Sequence, residues 1–262
     1  MLPAAQASPV VLTQEQVDNW NRDGFLIVPV FFPLSTIERA NAEADEILVR
    51  HRDLIHPLNM RTRFLMNVFT QEKDLECFDP VIDLSLIFHE LSVDKKLLAL
   101  VGDLYGEPAC FFKDKLIYKP PGLKGHELHQ DIWHSIPDSF LSVLIPLDKS
   151  DRESGCTEVF PGHTQGQLSP PGQFLYPIPP GLVDETKGVF LELKPGDIAI
   201  LHGFTPHRAA PNLSNRWRKV FFPSYNKFSE GGHQRPRYYV NFHARRREHF
   251  FKTSGGTDHY FV

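Results

Sequence analysis

Cysteine is scarce in this chain of 262 residues: Cys77, Cys110 and Cys156 are widely spaced and no Cys-x-x-Cys pair occurs. That excludes a disulfide frame and suits a reducing compartment. Met1 to Leu12 lack a positively charged stretch followed by a long apolar one, so no secretory signal is expected. No uncharged apolar run approaches the length of a membrane span. Basic excess is absent too. The formal net charge is −4, which argues against nucleic acid as a partner. Arg245-Arg246-Arg247 is expected to be a solvated helix face. There is no internal repeat and no low-complexity tract. The expectation is a soluble, cytoplasmic protein with a small-molecule partner and neither nucleic acid nor membrane; oligomeric state carries no signal.

What is abundant is aromatic residue and turn punctuation. Phe numbers 21 and Pro 22, and hydrophobic residues make up 41% of the chain, enough for a core that needs no staples. Many short strands are expected rather than a helical bundle. Thr13 with Gln16 has the spacing of a capping box and predicts a helix to about Arg22. Phe25 to Pro29 reads as a short strand. A second helix opens at Pro33, with Ile37, Ala40, Ala44 and Ile47 at helical spacing. Val81 to Tyr105 reads as helical, broken near Ser92. From Ala109 onward the texture changes to strands: 109–118, 140–146, 157–161, 189–193, 197–202 and 220–225, divided by Pro/Gly turns. Residues 238–251 read as a last helix. Helices followed by antiparallel strands predict an α+β protein, a single domain over 1–262 with a barrel-like core.

His129-Gln130-Asp131 offers one nitrogen and one oxygen donor two positions apart, a spacing that puts both on one face of an extended strand. Two histidines plus a carboxylate with open positions is the ligand set of non-haem Fe(II) oxygen chemistry. A lone His-x-Asp is weak; its weight comes from what lies downstream. The turn Pro195-Gly196-Asp197 leads into an apolar strand ending at His202. A second turn follows, then His207, and Arg218 precedes Val220-Phe221-Phe222. A guanidinium stays charged and grips a carboxylate with two parallel hydrogen bonds.

Together, His129-x-Asp131, His207 and Arg218 resemble the phytanoyl-CoA dioxygenase family of Fe(II)/2-oxoglutarate oxygenases. Leu12-Thr13 to Asp23-Gly24-Phe25, Glu153-Ser154-Gly155 to Pro161-Gly162-His163, and Pro211-Asn212-x-Ser214 are similar to further segments of that family. The resemblance is weakest between Val49 and Glu76. It implies a double-stranded β-helix (jelly-roll, cupin-like) core flanked by N-terminal helices. It also implies Fe(II) on His129, Asp131 and His207, and 2-oxoglutarate and O2 as cosubstrates. His202 competes with His207 as third ligand. Only His207 puts an arginine eleven residues on, where the family anchors 2-oxoglutarate; from His202 that position is Leu213. A serine common in the family two residues past the distal histidine is replaced by Ala209, so Thr205 is a candidate to supply the missing hydroxyl beside Arg218. Asp131 is the carboxylate that related halogenases lack, which favours hydroxylation.

Lys113, Lys115, Ile117 and Lys119 alternate on one face of a predicted strand. The opposite face, with Phe112, Asp114 and Leu116, is only partly apolar, so the sequence leaves open whether the lysines point inward. If inward, they can meet a carboxylate of 2-oxoglutarate (Lys119) or an anionic substrate (Lys113, Lys115). Arg61 and Arg63 are further substrate candidates, with surface arginine as the alternative; His134 and Asn226 complete the set. The segment around Arg61 and Arg63 and Phe112 to Lys115 look similar to the 2-aminoethylphosphonate dioxygenase branch. Alternatives are a tailoring oxygenase of terpenoids or alkaloids, and a non-catalytic small-molecule-binding jelly roll.

Overall fold

The computed structural model describes residues 9–132, 137–168 and 177–253. The N-terminal half is mostly helical: α1 (Gln14–Asp23), β1 (Phe25–Val28), α2 (Leu34–Arg50), β2 (Thr62–Met66), β3 (Lys73–Phe78), α3 (Leu86–Ser92) and α4 (Lys95–Tyr105). There follow β4 (Ala109–Lys119), β5 (His126–His129), β6 (Leu141–Pro146), β7 (Thr157–Val159), β8 (Val189–Phe190), β9 (Ile198–His202), β10 (His207–Ala209), β11 (Arg218–Lys227) and α5 (Arg235–Thr253). The predicted capping box forms: the Gln16 N–H donates to Thr13 Oγ1 and the Thr13 N–H to Gln16 Oε1. Strands β2 and β3 were not predicted, while β5 and β10 were expected only as the extended segments that carry His129 and begin at His207. They are short, and the first two lack period-2 alternation, with Lys73 and Glu76 among their residues.

The strands form two antiparallel sheets. One runs β1-β9-β6-β11-β4-β3-β2 and the other β5-β10-β7-β8. Successive strands from β4 to β11 alternate between the sheets except at β7 and β8, the winding of a double-stranded β-helix. Period-2 alternation sorts the side chains. Leu116, Tyr118, Leu141, Val143, Ile145, Ile198, Ile200 and Phe221 face out of the barrel and join Ile37, Ala40, Leu97 and Leu100 in the main core under the helices. Leu144, Ala199, Leu201 and Val220 face in and meet Val159 of the small sheet. The helices thus cover one face of the large sheet and leave its other face for the cavity.

That cavity has a volume of about 630 Å³ and is lined by Lys113, Lys115, Ile117 and Lys119 on β4. The lysine face therefore points inward. The outward Asp114 is fully buried and made tolerable by an ion pair to Arg235 at 2.7 Å and by the N–H groups of Val81 and Ile82.

The connection from β10 to β11 sets the distance between two site residues. Asn212, fully buried, donates from Nδ2 to the carbonyls of Lys119 and Arg216 and accepts from the Ser214 N–H and hydroxyl. Asn212→Ala should therefore cost about 1–3 kcal/mol by leaving buried carbonyls without donors; urea unfolding midpoints against the unaltered protein check it.

Candidate metal centre

Three elements bring the predicted ligands together. His129 ends β5 and His207 begins β10, and the two are register partners across the small sheet. Asp131 lies just beyond β5, where its N–H donates to the Gly203 carbonyl at 2.9 Å. His129 Nε2 is 3.7 Å from Asp131 Oδ1, His207 Nε2 is 3.8 Å from Asp131 Oδ2, and the ligating atoms of all three lie within 4.8 Å of one another. Their side chains are 13%, 13% and 10% exposed for His129, Asp131 and His207.

The donor set suits a divalent metal. The Nδ1 of His129 is 2.7 Å from the Glu127 carbonyl and that of His207 is 2.9 Å from the Thr205 carbonyl. A carbonyl can only accept, so each Nδ1 carries the proton and each Nε2 presents its lone pair to the centre. Burial, reinforced by His207, pushes His129 down to about 3, and burial lowers His207 as well, so both rings are neutral at physiological pH. Burial opposes charge on Asp131, but Lys115, with help from Lys113, overcomes it and holds the carboxyl well below its usual range. Two neutral imidazoles and a carboxylate on one side leave the cavity side open.

Arg218 starts β11 directly opposite Lys119 on β4. Both side chains line the cavity and both are buried, at 4% and 3% exposure. The Arg218 guanidinium bonds Ser150 Oγ at 3.3 Å, while its Nε has no hydrogen-bond partner. Lys119 Nζ donates to the Gly155 and Ala210 carbonyls. Gly155 has φ +68°, and a Cβ there would lie 2.7 Å from that Nζ, so glycine is needed for the approach. Burial and the adjacent Arg218 push Lys119 down to about 6, and burial pushes Arg218 down to about 10. Two like charges in this position are costly until an anion joins them.

The other predicted residues divide. Arg63, Lys113 and Lys115 line the cavity. Arg63 pairs with Glu76 and Asp79, Lys113 with Asp79, and Lys115 lies over the Phe222 ring. Arg61 points elsewhere: it pairs with Asp83 at 2.6 Å and does not line the cavity. Thr205 is corrected from a cosubstrate ligand to a clamp, because its fully buried hydroxyl donates to the Gly24 carbonyl at 2.8 Å. Asn226 is likewise structural, its amide donating to the Lys227 and Gly232 carbonyls ahead of α5. His134 lies outside the described residues. His202 does not line the cavity; its ring packs against Trp20 and stacks on Phe204. Several wall residues escaped the sequence reading, among them Glu76 with its partner His126 at 2.7 Å, and Arg245, Arg246 and His249 on α5. The expectation that the arginine run is a solvated face holds for exposed Arg247 but fails for Arg245 and Arg246.

The sequence profile of the phytanoyl-CoA dioxygenase (PhyH) family matches residues 20–220. The chain belongs to the phytanoyl-CoA dioxygenase family. The match spans β1 to the start of β11, including the triad and Arg218, and ends before α5. Among curated relatives, a methylphosphonate hydroxylase of Gimesia maris is 26% identical over 249 residues, covering 88% of this chain and 86% of its own. A 2-aminoethylphosphonate dioxygenase from an uncultured bacterium is 26% identical over 227 residues, covering 84% and 83%. Among solved structures, the epimerase SnoN in complex with Fe3+, alpha ketoglutarate and nogalamycin RO superposes with a TM-score of 0.69 at 19% identity, covering 82% of this chain and 83% of that one. EctD from S. alaskensis gives 0.67 at 19% identity, with 85% and 78% covered. These superpositions show that the chain shares the fold of those two proteins.

Burial holds His202 down at about 4. A histidine whose folded value lies below its unfolded value of about 6.5 binds its proton more readily in the unfolded chain, so stability is lost as pH falls from about 6.5 towards 4. In the metal-free protein, His202→Gln should flatten the decline of urea midpoints across that window; an unchanged slope would remove His202 as a cause.

Proposed function

We propose that the protein is an Fe(II)- and 2-oxoglutarate-dependent dioxygenase that hydroxylates a small anionic molecule, with phosphonates the favoured class. The observation that carries this is the meeting of His129, Asp131 and His207 in a cavity whose wall also holds the Arg218–Lys119 pair. The curated relatives that act on methylphosphonate and 2-aminoethylphosphonate support the substrate class. The whole chain, 1–262, is read as one dioxygenase domain. Three buried thiols suit a cytoplasmic setting. Among the described residues, no helix is long and apolar enough to cross a membrane.

In this reading the two Nε2 atoms and the Asp131 carboxylate hold the iron, and backbone carbonyls fix both ring tautomers. Bound iron with 2-oxoglutarate supplies the O2-activating chemistry, replacing a C–H hydrogen by hydroxyl while 2-oxoglutarate leaves as succinate and CO2. Arg218 and Lys119 grip the distal carboxylate, with Lys119 making up for the hydroxyl absent at Ala209. Both cations are poorly solvated, so they bind an anion more strongly than surface cations do. Lys115 stays near Asp131 and keeps it ionised. The apolar wall of Ile117, Leu201 and Phe222 limits water around the metal.

Anaerobic titration with Fe(II) and 2-oxoglutarate should produce the visible metal-to-ligand charge-transfer band. His129→Ala should lose it, and Arg218→Ala should raise the 2-oxoglutarate concentration needed by about thirtyfold or more, as for a truncated buried charge pair. A band of full intensity in His129→Ala would remove the metal assignment.

Lys119 adds a pH signature. Its ligand-free value is about 6, and a bound carboxylate raises it. The complex therefore holds more protons than the free protein above pH 6, and 2-oxoglutarate affinity should fall as pH rises from 6 into the alkaline range. Lys119→Met should bind more weakly with a flatter profile; calorimetry in buffers of different ionisation enthalpy measures the proton uptake directly.

A further inference from the structure

The last helix lies outside the family match, yet it forms part of the cavity wall. Its packing follows one helical stripe. Arg235, Tyr238, Tyr239 and Phe242 recur at i, i+3, i+4 and i+7. Arg235 pairs with Asp114, Tyr238 packs on Phe112, and the Tyr239 hydroxyl donates to Asp79 at 3.0 Å. Phe242 completes the buried cluster against the sheet. The same stripe continues as Arg245, Arg246 and His249, three, four and seven positions past Phe242, and all three line the cavity. Aromatic anchoring in the first turns thus carries a basic second half over the site.

The residues these side chains approach belong to β2 and β3. Arg246 donates to the Thr62 carbonyl at 2.9 Å, next to Arg63. Burial and the neighbouring Arg63 hold the Arg246 guanidinium below its usual range, and both side chains line the cavity. Arg63 Nε lies 3.3 Å from Glu76 Oε2 in an ion pair, without a well-aligned hydrogen bond. The cavity wall carries ten lysines and arginines against two carboxylates, Glu76 and Asp131. These cations fall into two groups. Lys113, at the α5 end of β4, is six residues from Lys119, about 20 Å along an extended strand. One 2-oxoglutarate molecule cannot use both ends, and the Arg218–Lys119 end already suits its distal carboxylate.

We propose that Arg63, Arg245 and Arg246 form a substrate subsite for a doubly charged oxyanion group, a phosphonate or phosphate monoester, and that α5 is the element that sets substrate choice. Several guanidinium forks lining one part of the cavity match three oxygens carrying two charges, whereas a single carboxylate is satisfied by one fork. Such a group held at the α5 end projects its carbon chain toward the triad. The inference rests on the dioxygenase reading above and adds to it the residues that select the substrate.

The test uses the anaerobic Fe(II)·2-oxoglutarate protein and follows perturbation of its charge-transfer band by methylphosphonate, methyl phosphate and acetate, with calorimetry in parallel. Methylphosphonate is expected to perturb the band saturably, methyl phosphate to compete with it, and acetate to do neither at the same concentrations; whichever of the first two binds more tightly identifies the source. Arg246→Gln and Arg245→Gln should each raise the methylphosphonate midpoint at least about tenfold while the 2-oxoglutarate midpoint moves less than about threefold. Arg246→Lys, which keeps the charge, should recover part of the loss and guards against a variant that fails to fold. Unchanged methylphosphonate midpoints in both arginine variants, or acetate binding as well as methylphosphonate, would overturn the subsite and leave the dioxygenase standing. Failure of the unaltered protein to form the band at all would instead bring down the dioxygenase reading, and the subsite with it.

Discussion

Two antiparallel registers fix the chemistry of this protein. In the small sheet, His207 stands opposite His129; in the large sheet, Arg218 stands opposite Lys119. A slip of one residue in either would turn a ligand or an anchor to the other face of its strand. The main core under the helices and the Asn212-braced loop between β10 and β11 hold those registers. Stability and function are therefore coupled through strand pairing rather than through the ligands' own contacts.

Desolvation is the second theme. The inner face of β4 carries three lysines into a cavity where water would otherwise be their only solvation, and the ligand-free protein tolerates them in three ways. Lys113 is neutralised by Asp79, Lys115 lies near Asp131 and over an aromatic ring, and Lys119 leans on backbone carbonyls beside Arg218. Burial and like charges oppose ionisation of both Lys115 and Lys119, but Lys115 has Asp131 nearby to offset them, whereas Lys119 bonds backbone carbonyls beside Arg218. A site so arranged favours anions, and more so where the cations have the fewest carboxylate partners.

The departures from expectation share a cause. Thr205 and Asn226 are polar residues near the site in sequence, but their side chains bond backbone carbonyls instead, Thr205 that of distant Gly24 and Asn226 those of nearby Lys227 and Gly232. The arginine run on α5 looked like an ordinary solvated face because nothing local distinguishes it. That Arg245 and Arg246 reach the cavity wall depends on Tyr238, Tyr239 and Phe242 docking against β4 and Asp79, residues more than a hundred positions upstream.

By itself the sequence determined the succession of helices and strands apart from β2 and β3, the capped start of α1, and the pairing of His-x-Asp with a distal histidine and an arginine eleven residues on. Those are local or fixed-spacing properties, set by backbone periodicity and by the coordination needs of a metal. It also determined that three lysines share one face of β4, since side chains alternate along any strand. Tertiary structure alone decided that this face looks inward, because the choice turned on whether Asp114 on the other face could be buried. It can, because Arg235 and two backbone N–H groups from separate segments converge on it. Tertiary structure also decided which of Arg61 and Arg63 reaches the cavity and that α5 supplies part of its wall, since both depend on packing between distant elements.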